Sequence, residues 1–283
     1  MEHSLDLTYH WAGFSALVVF VIAYAFVMAE EFTHLRKSKP VVLAAGLIWG
    51  MIAIAYSNTP HYEMVEHEIR HSFLEYTELA FFLLVAMTYI NALEERNVFN
   101  SLKSWLIKNQ FSYRQLFWIT GVLAFFLSPL ADNLTTALVL CAVVVAVGSS
   151  SPKFVGLACV NIVVAANAGG AFSPFGDITT LMVWQAGQLD FLQFFALVIP
   201  SVVNYIIPAS IMHFFVSDHK PDVAETSVTI KYGGKTIILL GLLTIVTAVS
   251  FHNFLHLPPV FGMMTGLAYL QLYSFYIKIS VKD

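Results

Sequence analysis

The sequence predicts an all-α polytopic membrane protein, and three observations predict it. Hydrophobic residues fill 58% of the 283 positions and charged residues 11%, against roughly 25% charged in a soluble domain. The apolar residues fall in runs of about 17–25, the length a helix needs to cross roughly 30 Å of hydrocarbon. All but one of the 14 basic residues fall on one face of the topology those runs allow, as the positive-inside rule asks. A soluble fold of this size has no interior for so much apolar surface. Membrane lipid is therefore the expected surrounding, the net charge of −4 identifies no partner, and no nucleic acid is expected.

The N-terminal Met1–Asp6 is acidic, not basic like the start of a signal peptide, so the first run, Trp11–Met28, is predicted to be a retained span. Arg36, Lys37 and Lys39 separate it from the second, Pro40–Tyr56. Glu63, Glu66, Glu68 and Arg70 precede the third, Phe73–Leu93. Asn97–Gln110 reads as a short amphipathic helix in the interface. Leu116–Ser149 follows, interrupted at Ser128–Asn133. If it crossed the membrane once, every later loop would change face and the basic bias would collapse. It is therefore read as a hairpin, and arms of about 15–18 residues favour a re-entrant pair.

Lys153–Gln188 is a span with a break inside it. Phe191–Val216, Thr236–Phe251 and Pro259–Tyr276 complete about seven spans, plus the hairpin and the broken helix. This topology places Arg96, Lys103, Lys108, Arg114, Lys153, Lys220, Lys231, Lys235, Lys278 and Lys282 inside and Arg70 outside. The N-terminus is then outside and the C-terminus cytoplasmic, in a bacterial inner membrane. Cys141 and Cys159 lie in apolar runs with neither metal spacing nor a disulfide framework and read as small packing residues.

Two stretches carry an acid inside apolar sequence, and they resemble each other. One is Ser128-Pro129-Leu130-Ala131-Asp132-Asn133-Leu134-Thr135-Thr136; the other is Ser173-Pro174-Phe175-Gly176-Asp177-Ile178-Thr179-Thr180, preceded by Asn167-Ala168-Gly169-Gly170. Proline lacks an amide donor, so a helix break is expected at each Ser-Pro. Gly169, Gly170 and Gly176 permit conformations a helix forbids. Unwound backbone at membrane depth persists only inside protein or along a wet cavity. The two breaks are therefore expected to meet at one central site, as discontinuous helices do in secondary transporters.

Asp132 and Asp177 also read as plain helix N-caps. Ser or Asn would cap without charge, whereas an ionisable group inside a membrane costs at least ~2.5–3.5 kcal/mol, which favours a functional role. Carboxylates, hydroxyls, amides and freed carbonyls suit a hard cation. A carboxyl partly removed from water binds protons more tightly, so one Asp would hold either a proton or a cation. Against this, helix N-termini attract anions. The candidate ion-binding residues are Asp132, Asn133, Thr135, Thr136, Asn167, Ser173, Asp177, Thr179 and Thr180, with Asp132, Asp177, Thr136 and Thr180 as direct cation ligands.

Glu75 and Glu78, one turn apart on one helix face, read either as a proton relay or as helix-end groups reaching water. Asn161 reads as an interhelical hydrogen-bonding residue. His213, His252 and His256 read as interfacial, with a pH-sensing role as the alternative.

At SPLADNLTTALVL (Ser128–Leu140) and NAGGAFSPFGDITTLMVWQ (Asn167–Gln185) the chain resembles the NhaD-type sodium/proton antiporters of the ion transporter superfamily, and more loosely so from about Phe73 onward. The resemblance implies Na⁺ or Li⁺ moved out against H⁺ moved in, no cofactor, and two inverted repeats, each with a re-entrant hairpin and a broken helix. It implies a single transmembrane domain with its first repeat reaching about residue 217 and a second beginning at 236–283. The second Asp-Asn hairpin of that pattern is missing here, so a missing C-terminal half or a homo-oligomer is expected to complete the site. An oxyanion or dicarboxylate permease and a non-transporting membrane subunit are the alternatives. An enzyme is not expected: there is no nucleophile–base pair, metal-spaced His/Cys set or phosphate loop.

Overall fold

The computed structural model describes residues 7–57, 59–60, 62–109, 111–148, 151–220 and 228–280. The expectations for Met1–Asp6, Gln110, Ser149 and Lys282 lie outside the described residues. Among the described residues every regular element is helical. The helices are α1 (Trp11–Met28), α2 (Glu30–Thr33), α3 (Ser38–Tyr56), α4 (Tyr62–Glu95), α5 (Val98–Lys108), α6 (Tyr113–Ala131), α7 (Asn133–Val147), α8 (Pro152–Gly170), α9 (Ile178–Gln185), a 3-10 turn (Phe191–Leu197), α10 (Val198–His213), α11 (Gly234–Leu255) and α12 (Pro259–Ser280). Eight helical segments among the described residues are long and apolar enough to cross a membrane. The chain is an all-α polytopic membrane protein.

Three sequence expectations need correction. The third span begins at Tyr62, making α4 a helix of 34 residues; the glutamates before Phe73 continue the helix beyond the apolar run. The hairpin's first arm, α6, has 19 residues and counts among the eight. It starts before Leu116 because Ser112 and Gln115 form a reciprocal capping box that satisfies amides with no partner inside the helix. It also continues through Pro129 and ends only at Asp132, where φ is 54° and ψ 160°.

The chain forms two compact units, Met1–Tyr76 and Thr77–Asp283. In the first, α1 packs on α3, with Ala12, Ala23 and Ala44 buried and the larger apolar side chains turned outward, as in a helix pair surrounded by lipid.

In the second unit, α6 and α8 run parallel. The Tyr113 ring lies tilted against Phe154 at 4.3 Å, Asn161 donates to the Phe117 carbonyl at 2.9 Å, and Ser173, just past α8, donates to the Pro129 carbonyl at 3.0 Å. The partner advances along both helices together. The end of α7 returns to the start of α8, since a Cβ on Gly148 would lie 2.7 Å from Phe154 and Val155. So α6 and α7 enter and return, and the hairpin read from the charge pattern is present.

Glycine permits the closest approach of α6 and α8. Pro129 cannot bond the Phe125 carbonyl one turn back, and that carbonyl lies where a Cβ on Gly169 would stand. Gly169 and Gly170 are ordinary helical residues of α8, and positive φ among glycines occurs at Gly187 and Gly233 within the described residues. Gly169 and Gly170 do not use the conformational freedom open to glycine; what they supply is room.

A second core joins α4, α9, α11 and α12 around Phe82, Val85, Leu181, Trp184 and Met263. There the Tyr89 hydroxyl donates to the Gly266 carbonyl at 2.7 Å and accepts from Thr244 at 2.9 Å. Gly262 packs on Ala248 and Gly266 on Thr244, the small-residue spacing that lets membrane helices approach closely.

Basic residues gather at one end of this unit. Lys231 bonds to the Arg96 carbonyl at 2.9 Å through its amide, Val228 to Ser104 at 3.0 Å, and Arg114 to the Val216 carbonyl at 3.1 Å. Gly233 lies against Ile277 and Tyr273, next to Lys278. These links bring the start of α6, the start of α8, α5, residues 216–220 and 228–234, and the end of α12 to the same side.

Candidate functional site

The two breaks meet. Asp132 ends α6 and caps α7: one carboxylate oxygen accepts from the Thr135 amide at 2.8 Å and the other from the Thr135 hydroxyl at 2.8 Å. Asp177 caps α9 in the same way, accepting from the Thr179 amide at 3.0 Å and the Thr179 hydroxyl at 3.1 Å. Between them stands Asn133, whose side-chain amide donates to Asp177 Oδ2 at 2.6 Å and to Asn167 Oδ1 at 3.3 Å. Asn167 in turn donates to the Val163 carbonyl at 2.8 Å.

The backbone is fixed around this group. The Ser173 hydroxyl ties the second break to the hairpin tip through the Pro129 carbonyl and accepts from the Phe175 amide at 3.2 Å. The Thr180 hydroxyl contacts the Ser173 carbonyl at 2.9 Å and the Asp177 carbonyl at 2.8 Å. A Cβ on Gly170 would sit 2.7 Å from the Gly176 carbonyl, so the loop folds directly onto the helix it leaves. Asp132, Asn133, Thr135 and Asp177 are half-buried, Thr136 and Ser173 buried, and Asn167 and Thr179 exposed.

All nine candidates fall in this region, with different tasks. Asn133, Asn167, Asp132 and Asp177 present polar atoms to the gap. Ser173 and Thr180 hold backbone. Thr136 Oγ1 is buried and has no hydrogen-bond partner among the described residues, so its lone pairs are available. Ser128 was absent from the candidates; its hydroxyl is fully buried, likewise without a partner, and close to Gly170. The signal for it was its match to Ser173 in the repeated Ser-Pro.

Glu75 lies on α4 with His71 Nδ1 3.6 Å away, and Glu78 follows one turn later, half-buried. Asn161 makes the interhelical bond expected of it. His252 meets Trp184 edge-on at 4.9 Å, and His256 terminates α11 with φ of 53°.

The electrostatics follow from which helix ends converge. Two N-termini, of α7 and α9, bring roughly +0.5 charge each, and two C-termini, of α6 and α8, bring roughly −0.5 each. These contributions offset one another, and both N-termini are already capped. What remains is the pair of carboxylates. Among the described residues no Lys or Arg forms an ion pair with either. The oxygen donors suit a hard cation.

The family profile described as citrate transporter (CitMHS) matches residues 11–280. The chain belongs to the CitMHS family. The chain is similar to the Na(+)/H(+) antiporter NhaD of Vibrio cholerae, with 57% identity over 275 residues, 97% of this chain and 58% of the relative. It is similar also to the NhaD antiporter of Alkalimonas amylolytica, with 55% identity over 277 residues, 98% of this chain and 57% of the relative. Sodium/proton antiporter 1 of Arabidopsis thaliana is 32% identical over 265 residues, 90% of this chain and 44% of the relative. The NhaD resemblance read from the two motifs is borne out. This CitMHS chain spans little more than half the length of the bacterial relatives it matches.

Proposed function

We propose that the protein exchanges Na⁺ or Li⁺ for H⁺ across a bacterial inner membrane, with the cation and the proton competing for Asp132 and Asp177. The observation that carries the reading is the Asn133–Asp177 hydrogen bond at 2.6 Å, which joins the two acidic breaks into one polar group. A carboxylate that has bound a proton is a poor cation ligand, and one that has bound a cation resists protonation. Competition of that kind, combined with alternating exposure of the site, produces exchange without a cofactor. The relatives' names support the same reading. The cluster of basic residues at one end of the second unit supports a cytoplasmic placement of that end, with the N-terminus outside.

In this proposal Asp132, Asp177, Thr136 and Thr180 contact the cation, Asn133 and Asn167 set the spacing of the carboxylates, and Glu75 and Glu78 pass protons toward the site. The exposed flank at Asn167 and Thr179 is where a further polypeptide segment, or a second copy of this chain, would complete the coordination. The test is dissipation of a preformed ΔpH in everted vesicles on adding NaCl or LiCl. Lack of response with the protein present in the membrane rejects it.

One observation favours a second reading, an anion permease: the matching family profile carries the description citrate transporter. The capped helix ends and the absence of a basic partner among the described residues argue against it, and competition between Na⁺ and citrate in uptake assays separates the two. A non-transporting subunit would instead leave the activity of its complex intact in Asp132→Asn and Asp177→Asn.

A further inference from the structure

We infer that His213 and Trp118 form a pH-operated clasp holding α10 to α6, the helix that ends at Asp132. Its physiological sense rests on the exchange reading above; its structural part does not. The Trp118 indole N–H donates to His213 Nδ1 at 3.0 Å, and the rings stand 6.1 Å apart. An indole N–H only donates, so Nδ1 must hold a lone pair and the imidazole proton must sit on Nε2. The interfacial reading of His213 is thus incomplete, because its ring is bound to another helix.

The clasp lies between two fixed contacts. On one side, the Tyr205 hydroxyl of α10 lies 2.5 Å from where a Cβ on Gly121 would stand, alongside the Asn161 amide of α8. Trp118 meets the Tyr205 ring edge-on at 6.3 Å. On the other side, the segment after α10 docks onto the start of α6. Arg114 donates to the Val216 carbonyl at 3.1 Å, the Tyr113 amide to the His219 carbonyl at 2.9 Å, and Ser112 to Asp218 at 2.8 Å.

Protonation of the imidazole places a hydrogen on Nδ1. Two donors then face each other and the bond is lost. An imidazolium at this position has another partner, because His213 is the last residue of α10 and the free carbonyls of a helix C-terminus favour a cation. The ring therefore has two arrangements, and imidazole is the side chain whose ordinary titration falls between about pH 5 and 8.

The titratable and charged groups on the packed elements are Tyr113 and Arg114 on α6, Lys153 and Cys159 on α8, Tyr205 on α10, Asp190 before the 3-10 turn, and Asp218, His219 and Lys220 after α10. Asp218 is engaged by Ser112 and Arg114 by Val216. In neutral or alkaline conditions the clasp is closed and α6 is held in the register at which Asn133 meets Asp177. In acid it opens, α10 releases α6, and the site loses that support.

The experiment is a tryptophan-fluorescence titration of the purified protein from pH 8.5 to 5, with H213N and W118F beside the wild type. An imidazolium quenches a neighbouring indole, so the wild type should show a transition that both variants lack. No wild-type transition, or its persistence in either variant, overturns the clasp. Exchange is then measured in vesicles over the same range. H213N keeps an acceptor oxygen near the Nδ1 position and cannot titrate. Where the wild type has lost activity about ten-fold in acid, it should have lost about two-fold or less. W118F should be depressed at alkaline pH as well. An H213N profile identical to wild type overturns the regulatory role. If no form exchanges cations, the exchange reading fails, while the fluorescence result still judges the clasp.

Discussion

Asn133 donates to Asp177 across 44 residues of sequence at 2.6 Å, and this bond fixes the distance between the hairpin tip and the broken helix. Asp132 and Asp177 each spend part of their capacity on capping, through Thr135 and Thr179. The bond between the breaks is made by the residue next to the first aspartate. A hydrogen bond to a charged group contributes about 1.5–3 kcal/mol. Asn133→Ala should therefore raise the half-saturating Na⁺ concentration for ΔpH dissipation by about 10-fold or more. An unchanged value would show that the bond does not shape the site.

Asp177→Asn keeps an N-cap and nearly the same shape but removes the charge. Helix capping changes little, since Asn and Asp cap about equally well. The expected result is a folded protein, judged by its melting temperature in detergent, with Na⁺-dependent ΔpH dissipation abolished. Retained exchange would reduce Asp177 to a capping residue.

Gly169 packs against the carbonyl that Pro129 leaves unbonded, whereas nothing lies within 4 Å of a Cβ placed on Gly156 of the same helix. Gly169→Ala forces α6 and α8 apart and should cost about 1–3 kcal/mol, as overpacking does. Gly156→Ala should be neutral or slightly stabilising, because alanine is the better helix former. Thermal unfolding of the two variants in one detergent checks the contrast.

Tyr89 and Thr244 join α4, α11 and α12 away from the aspartates. Tyr89→Phe removes the hydroxyl that bridges the Gly266 carbonyl and Thr244, at about 0.5–1.5 kcal/mol for a hydrogen bond lost while the helix keeps its own. The melting temperature should fall while the half-saturating Na⁺ concentration stays at the wild-type value. A changed Na⁺ response would mean that this core reports to the site.

Much of the fold was legible because it depends on local quantities. Arg96, Arg114, Lys153 and Lys231 could be assigned to one side from parity alone, and that parity required the hairpin now seen in α6 and α7. The matching Ser-Pro and Asp-Thr patterns placed both breaks. The exact end of α6 was not legible, because a proline weakens a helix only as far as its neighbours allow, and here α8 covers the vacated carbonyl. Nor was the task of Ser173 legible, since its acceptor belongs to Pro129, on another helix. Trp118 and His213 are 95 residues apart and carry no local sign of their bond.

The sequence by itself determined that the chain lives in lipid, which of its basic residues gather together, and which acids it places in apolar surroundings. These follow from transfer free energies that each segment experiences separately. Only the tertiary structure decided which polar atom meets which. Hydrogen-bond geometry between helices depends on their crossing and register to within about half an ångström, and that is set jointly by every residue in the contact, foremost Gly169 against the Phe125 backbone.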